Sequence, residues 1–225
     1  MDVKVADSWK NTHAEARVGV LVLRGVSNST RHDSLDERKL RIEDELRTRF
    51  TGKTKADLTA LDTIRRYNAF YKPFNKTYHV LLQLESVALK GKALSSTMAL
   101  VQAMFMAEVH TQLLTAGHDL ARVVPPLTIA ASQGGEPYVR INGQAQALKP
   151  GDMYMSDTEG ILSSVIYGPD QRTQIRPETR DVMFVTYAPK GIGAELLRQH
   201  MDELEEYVRI VSAEAQRDML GVWGG

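Results

Sequence analysis

Acidic side chains set beside glycines are the first chemistry-bearing pattern in this 225-residue chain. They recur as Gly117-His118-Asp119, Gly134-Gly135-Glu136, Asp157-Thr158-Glu159-Gly160 and Gly168-Pro169-Asp170, with Ser163-Ser164 between the last two. Glycine lets a backbone approach a ligand closely and present its N–H, while a nearby carboxylate can receive an ammonium group or position a water. Asp157 and Glu159 stand two apart and could share a face at a strand end. Met104, Phe105, Met106, Met153 and Met155 offer adaptable apolar walls to such a site. Taken singly, each acid also suits a turn whose N–H groups it caps. Taken together, the cluster points to a small-molecule pocket.

The second pattern is cationic and aromatic. Between residues 53 and 78, Lys53, Lys55, Arg65, Arg66, Lys72 and Lys76 face two acids, and Tyr67, Phe70, Tyr71, Phe74 and Tyr78 crowd the same stretch. Such a patch can hold phosphates while exposed rings stack on unpaired bases. Equally, the rings can be core and the bases can solvate the outer face.

Other chemistries find little support. The six histidines show no His-x-x-x-His or His-Glu-x-x-His spacing, and His110 and His118 are eight apart across a glycine, so no metal is expected. No Gly-x-Ser-x-Gly elbow or Walker loop occurs, and Gly191-Ile192-Gly193 reads as a turn, so no cofactor is expected. With 28 Lys plus Arg against 28 Asp plus Glu, there is no overall basic field for non-specific duplex binding. The absence of cysteine fits a reducing cytoplasm, and no apolar stretch approaches the roughly 18 residues of a membrane span. A cytoplasmic protein is expected.

These groups need positioning elements, and apolar periodicity supplies them. Residues 2–6 and 17–26 read as strands, the second so continuously apolar that it is expected at the centre of a sheet. Residues 33–50 form an amphipathic helix laced with acid-before-base pairs four apart, and 57–70 form a second. Helices over 80–90 and 97–115 are each expected to close at a glycine, Gly91 and Gly117. Strands follow over 127–131, 138–141, 144–148, 153–157, 161–167 and 181–187, with Asn142-Gly143 a hairpin turn. A C-terminal helix over 193–220 ends in a loose Gly-Val-Trp-Gly-Gly tail. The expectation is one α+β domain over 1–225, with helices on one face of a mostly antiparallel sheet.

From residue 96 to 187 the motif order becomes distinctive. Met98 to Phe105, Gly117-His118-Asp119-Leu120, Gly134-Gly135-Glu136, Asn142-Gly143, Leu148-Lys149-Pro150-Gly151-Asp152, Asp157-Thr158-Glu159-Gly160, Ile166-Tyr167-Gly168 and Pro177-Glu178-Thr179-Arg180 follow one another. This succession resembles the editing (B3/B4) domain of the phenylalanyl-tRNA synthetase beta chain, over residues 78–190, and looks like a free-standing relative of it. The resemblance implies a B3/B4-like α+β fold that hydrolyses the ester of a mischarged tRNA in trans, since no synthetase body or ATP motif accompanies it. An aminoacyl ester is already activated, so a positioned water and oxyanion donors can suffice without a nucleophile. In that reading Asp119, Asp157 and Glu159 are the catalytic candidates, any of which could receive the substrate ammonium. His118, Glu136, Ser163, Ser164, Gly168, Asp170 and Met104 bind substrate, and Lys53, Lys55, Arg65, Arg66, Lys72 and Lys76 hold the tRNA acceptor end. One departure matters. Where the synthetase domain has a glycine-glycine-glutamate turn whose acid inspects the side chain, this chain has Gly168-Pro169-Asp170. A tyrosine preference therefore does not carry over, and the amino acid stays open. The competing expectation is a non-catalytic amino-acid or tRNA-binding module with the same pocket.

Overall fold

The computed structural model describes residues 1–94 and 98–225. The chain opens with β1 (Val3–Val5), a short helix α1 (Asp7–Thr12) and β2 (Arg17–Arg24), followed by α2 (Asp33–Arg49), α3 (Lys55–Thr59), α4 (Asp62–Tyr71), α5 (His79–Ala88) and α6 (Ala99–Thr111). The β-rich half contributes β3 (Leu114–Asp119), β4 (Leu127–Ala131), β5 (Pro137–Val139), β6 (Ala145–Ala147), β7 (Met153–Ser156), β8 (Ile161–Ser164), β9 (Gly168–Pro169) and β10 (Asp181–Ala188). Helix α7 (Ala194–Val211) and strand β11 (Gln216–Gly224) finish the fold.

The architecture is α+β, as expected, but the strands divide among two larger sheets and a hairpin. One sheet runs β1-β4-β7-β8-β9, the other β11-β2-β10-β3, and β5 pairs with β6. All pairings are antiparallel except β1 with β4. Alternation along β10 sends Thr186 to Thr115 and, through it, to His200 of α7, while Tyr187 reaches Ser163 of β8. The four-stranded sheet thus has helix on one face and the five-stranded sheet on the other. One cluster of buried apolar residues extends from Trp9 to Ala215.

Four expectations need correction. The helix predicted for 97–115 begins at Ala99, with Thr97 outside the described residues, and ends at Thr111. Gln112, at φ 63°, takes the left-handed position assigned to Gly117, because residues 114–119 are drawn into pairing with β10. Gly117 instead lies in β3, where a Cβ would come within 2.5 Å of Ile175 Cδ1. The helix expected over 57–70 is broken at Leu61, whose ψ of 136° is extended, and its first piece starts at a capping box between Thr54 and Asp57. The C-terminal helix stops at Val211, and the supposed tail is β11, paired along β2 from Gln216–Arg24 to Gly224–Arg17. That pairing makes β2 an inner strand, which accounts for its unbroken apolar run. Finally, α1 has only six residues, too few for a periodic signal, although its Trp9 is fully buried. The Asn142-Gly143 turn is as expected, with Gly143 at φ 80° joining β5 to β6.

Candidate ligand-binding cavity

A cavity of about 360 Å³ lies between α6 and the β3 edge of the four-stranded sheet. Met98, Val101, Met104, Phe105 and Glu108 recur at three- and four-residue spacing, so they share the side of α6 that forms one wall. The facing wall is β3 from Leu114 to Gly117, and the floor comes from Ser164, Val165, Gly168 and Pro169 with Ile175 and Tyr187. Bare Gly117 lets Ile175 close against the strand. Three buried tyrosines hold these walls together. Tyr67 donates to the Tyr187 carbonyl and accepts from Leu114 N, Tyr71 donates to Val165 O at 2.8 Å, and Tyr78 donates to Gln112 O at 2.9 Å. The aromatic stretch 67–78 is therefore mainly core, with Tyr67 stacked on Tyr78 at 4.1 Å, and not a platform for bases.

Few polar groups interrupt the apolar lining. Glu108 is 1% exposed; its Oε1 accepts from Thr115 N at 2.8 Å, and its Oε2 has no partner. Burial pushes this carboxyl up to about 8, opposed only in part by the Thr115 N–H. It is therefore largely protonated at neutral pH. Ser164 also lines the cavity, and behind it stands Asp152, fully buried, with Oδ1 accepting from Ile166 N at 3.3 Å and Oδ2 unpartnered. Burial raises Asp152 to about 7, against the pull of the Ser164 hydroxyl and of the Ile166 and Met153 N–H groups. No lysine or arginine lines the cavity among the described residues.

Of the residues singled out in the sequence, Met104, Phe105, Gly117, Ser164, Gly168 and Pro169 lie on this cavity. The three catalytic candidates do not. Asp157 accepts from Val124 N, Glu159 N, Gly160 N and Arg172 Nη2 at 2.8–3.1 Å, which fills its acceptors with its own turn. Glu159 is exposed and pairs with Arg172 at 3.4 Å. Asp119 caps the turn after β3 by accepting from Ala121 N, and takes a second bond from Thr179 Oγ1. Asp157, Glu159 and Asp170 gather on Arg172, an ion cluster rather than a hollow. Glu136 likewise caps its loop, accepting from Ser132 Oγ, Gln133 N and Gly134 N. The turn-capping reading therefore describes Asp119, Glu136, Asp157 and Asp170, while Glu159 is an exposed partner of Arg172.

His118, Ser163 and Asp170 do meet, in a buried chain beside the cavity. Thr173 Oγ1 donates to Asp170, so it accepts from His118 Nδ1 at 2.8 Å. Nε2 is then the bare nitrogen, 3.2 Å from Ser163 Oγ, which also meets the Tyr187 hydroxyl at 2.8 Å. Burial, with Arg172 adding to it, lowers His118 to about 3, so the ring is neutral. Ser163 is wholly buried, and the chain serves to fix Tyr187 in the cavity floor.

The six basic candidates are spread over the surface. Arg65 and Arg66 share Asp62 at 2.5 and 2.7 Å, Lys55 pairs with Glu85 at 3.1 Å, and Lys76 Nζ lies 6.0 Å from the Tyr167 ring centroid. Lys53 and Lys72 are exposed. Arg65 and Arg66 border a shallow groove of about 400 Å³ with His13, Phe70 and Lys190. Sequence reasoning missed Glu108, Asp152 and the 174–175 segment. For Glu108 a signal existed: it is the one acid in the most apolar helix. Among the described residues no cluster of His, Cys, Asp or Glu could hold a metal, and no helix is long and apolar enough to cross a membrane.

This is an α+β fold with a mainly apolar cavity at a sheet edge. No protein-family model matches the chain, and no curated protein matches it. Among solved structures it is similar to an N-terminal fragment of the phenylalanyl-tRNA synthetase beta subunit from Pyrococcus horikoshii. The TM-score is 0.51 at 10% identity, over 100% of this chain and 54% of that one, so the chain spans about half the length of that structure. At that identity the likeness is one of fold.

Proposed function

We propose that this chain binds the aminoacyl group at the acceptor end of a tRNA, in the cavity between α6 and β3. The observation that carries the reading is the cavity itself, of a size for one amino-acid residue and mainly apolar, with His79, Glu108, Thr115, Ser164 and Gln174 as its polar lining residues. Met98, Met104 and Phe105 suit an apolar side chain without dictating which. The fold shared with a synthetase beta-subunit fragment supports the tRNA context. Exposed Lys53, Lys72 and Lys76 would add phosphate contacts, with Lys55, Arg65 and Arg66 partly neutralised by Glu85 and Asp62.

A second reading, a trans-acting aminoacyl-tRNA deacylase, is favoured by one feature. Ser164 lines the cavity with the Asp152 carboxyl behind it, a pair able to orient a water and accept its proton. Asp119, Asp157 and Glu159 do not line this cavity, so this reading does not rest on them. A panel of tRNAs charged with different amino acids separates the readings. Binding that requires the charged end, without release of amino acid, supports the module. Release that is lost in Asp152→Asn while binding persists supports the deacylase. Equal binding of charged and uncharged tRNA would contradict both.

A further inference from the structure

We propose that the groove bordered by Arg65, Arg66 and Lys190 is a second site, for a phosphorylated nucleoside, in which the three cations take the phosphate and Phe70 takes the base. The groove, of about 400 Å³, shares no lining residue with the α6–β3 cavity, so this site goes beyond the aminoacyl reading and stands without it.

Three stretches of backbone meet at the groove. Helix α4 brings Arg65, Arg66, Ala69 and Phe70, the turn after β10 brings Lys190, and the loop between α1 and β2 brings His13. The pairs 65/69 and 66/70 are each four apart, so these four side chains share one side of α4, while Tyr67 and Tyr71 are buried in the core.

Arg66 is built into its place. Gly191, at φ 90°, carries no side chain, and the guanidinium fills that space: a Cβ there would stand 1.7 Å from Nη1. Asp62 accepts from Arg66 Nε at 2.7 Å and from Arg65 Nη2 at 2.5 Å. Among the described residues neither guanidinium makes another bond, so both Nη groups of Arg66 and the Nε and Nη1 of Arg65 keep donors for a ligand. One carboxylate serving two arginines leaves a positive charge over. Lys190 meets Glu15 on the open surface, a pair weak enough to exchange for a ligand oxygen. His13 donates from Nε2 to Gly151 O at 2.9 Å, and burial lowers it, so it adds no charge.

The donors and the surface beside them define the ligand. A guanidinium fork matches two oxygens of a phosphate, and a lysine from the opposite wall suits a third, which a planar carboxylate lacks. Phe70 is half-buried, held by His13 and Phe74 with ring centroids at 5.8 and 5.5 Å, and with Ala69 it gives the groove apolar surface on which a base can lie. Inorganic phosphate uses only the first half of the site, and an unphosphorylated nucleoside only the second.

The test is calorimetric titration of the full chain at low salt with AMP, CMP, adenosine, inorganic phosphate, phenylacetate, and a hexaribonucleotide with and without a 5′-phosphate. The expected result is that a mononucleotide or the phosphorylated RNA binds, that adenosine, inorganic phosphate and phenylacetate bind about tenfold or more weakly, and that Arg66→Met and Lys190→Met each weaken binding by about five- to tenfold. Tighter binding of the 5′-phosphorylated RNA than of AMP and CMP identifies a strand end as the source of the group, and binding of the mononucleotides alone identifies a free nucleotide. Inorganic phosphate or phenylacetate binding as tightly as the nucleotides overturns the ligand class. Unchanged binding in both variants, or no binding of any phosphorylated nucleoside, overturns the site and leaves the cavity reading untouched. Lys190 is exposed on a turn, so Lys190→Met decides the matter if Arg66→Met does not fold.

Discussion

Asp157 and Glu108 show how little the type of a side chain says about its use. Asp157 looked reactive because it stood in an acid-bearing turn closed by Gly160, yet its oxygens accept from three backbone N–H groups and Arg172. Asp157→Ala is expected to cost about 3 kcal/mol, as a buried cap and ion-pair partner is lost. Urea denaturation reads that cost, and titration with amino-acid amides should show affinity unchanged within about twofold. Ser164 and Gly168, sought near glycine-bordered turns, and Met104, sought as an adaptable apolar wall, were singled out in the sequence and line the cavity. Glu108 was not, because its opposite wall comes from a strand and from residues 164–175, which the sequence does not bring together. A carboxyl within an otherwise apolar helix was the available clue.

At the scale of elements, period and length decided what could be read. The long amphipathic α2 and the apolar β2 were legible from periodicity, as was the Asn142-Gly143 hairpin. The α6–β3 junction was not, since residues 99–119 are buried on nearly every side and lose their periodic signature. Pairing with β10, and not local preference, converts residues 114–119 to strand. Gly117 is the test of that junction. Gly117→Val would press on Ile175 and Phe184, which already lie 2.5 and 3.3 Å from its absent Cβ. A loss of about 1–3 kcal/mol is expected from overpacking, together with weaker amide binding, read by thermal melting and titration. The C-terminal strand makes a second test. Removing residues 213–225 bares the β2 edge, and a lower melting temperature with concentration-dependent aggregation is expected by light scattering.

The whole molecule carries a pH signature. Glu108 and Asp152 hold protons in the folded state, up to about 8 and 7, that the unfolded chain gives up from its ordinary carboxylate range. The unfolded state then binds fewer protons, so stability falls as pH rises from about 4.5 to about 8. His118 and His200 stay neutral down to about 3 and 4, while the unfolded chain protonates them below 6.5, so stability also falls as pH drops from 6.5. The opposing slopes predict a plateau between about 4.5 and 6.5, with urea midpoints lower on both sides. The double change Glu108→Gln with Asp152→Asn should flatten the alkaline limb and tilt the plateau, so that stability rises with pH up to about 6.5 and then levels. The claim that the α6–β3 cavity receives an aminoacyl group is met most directly by methyl NMR of the nine methionines, titrated with an acceptor-stem RNA bearing an amide-linked amino acid. The account predicts shifts at Met98 and Met104, which line the cavity, with Met1 and Met219 unmoved and the uncharged RNA without effect on any of them. Shifts at the lining methionines with uncharged RNA, or none with the charged one, would contradict it.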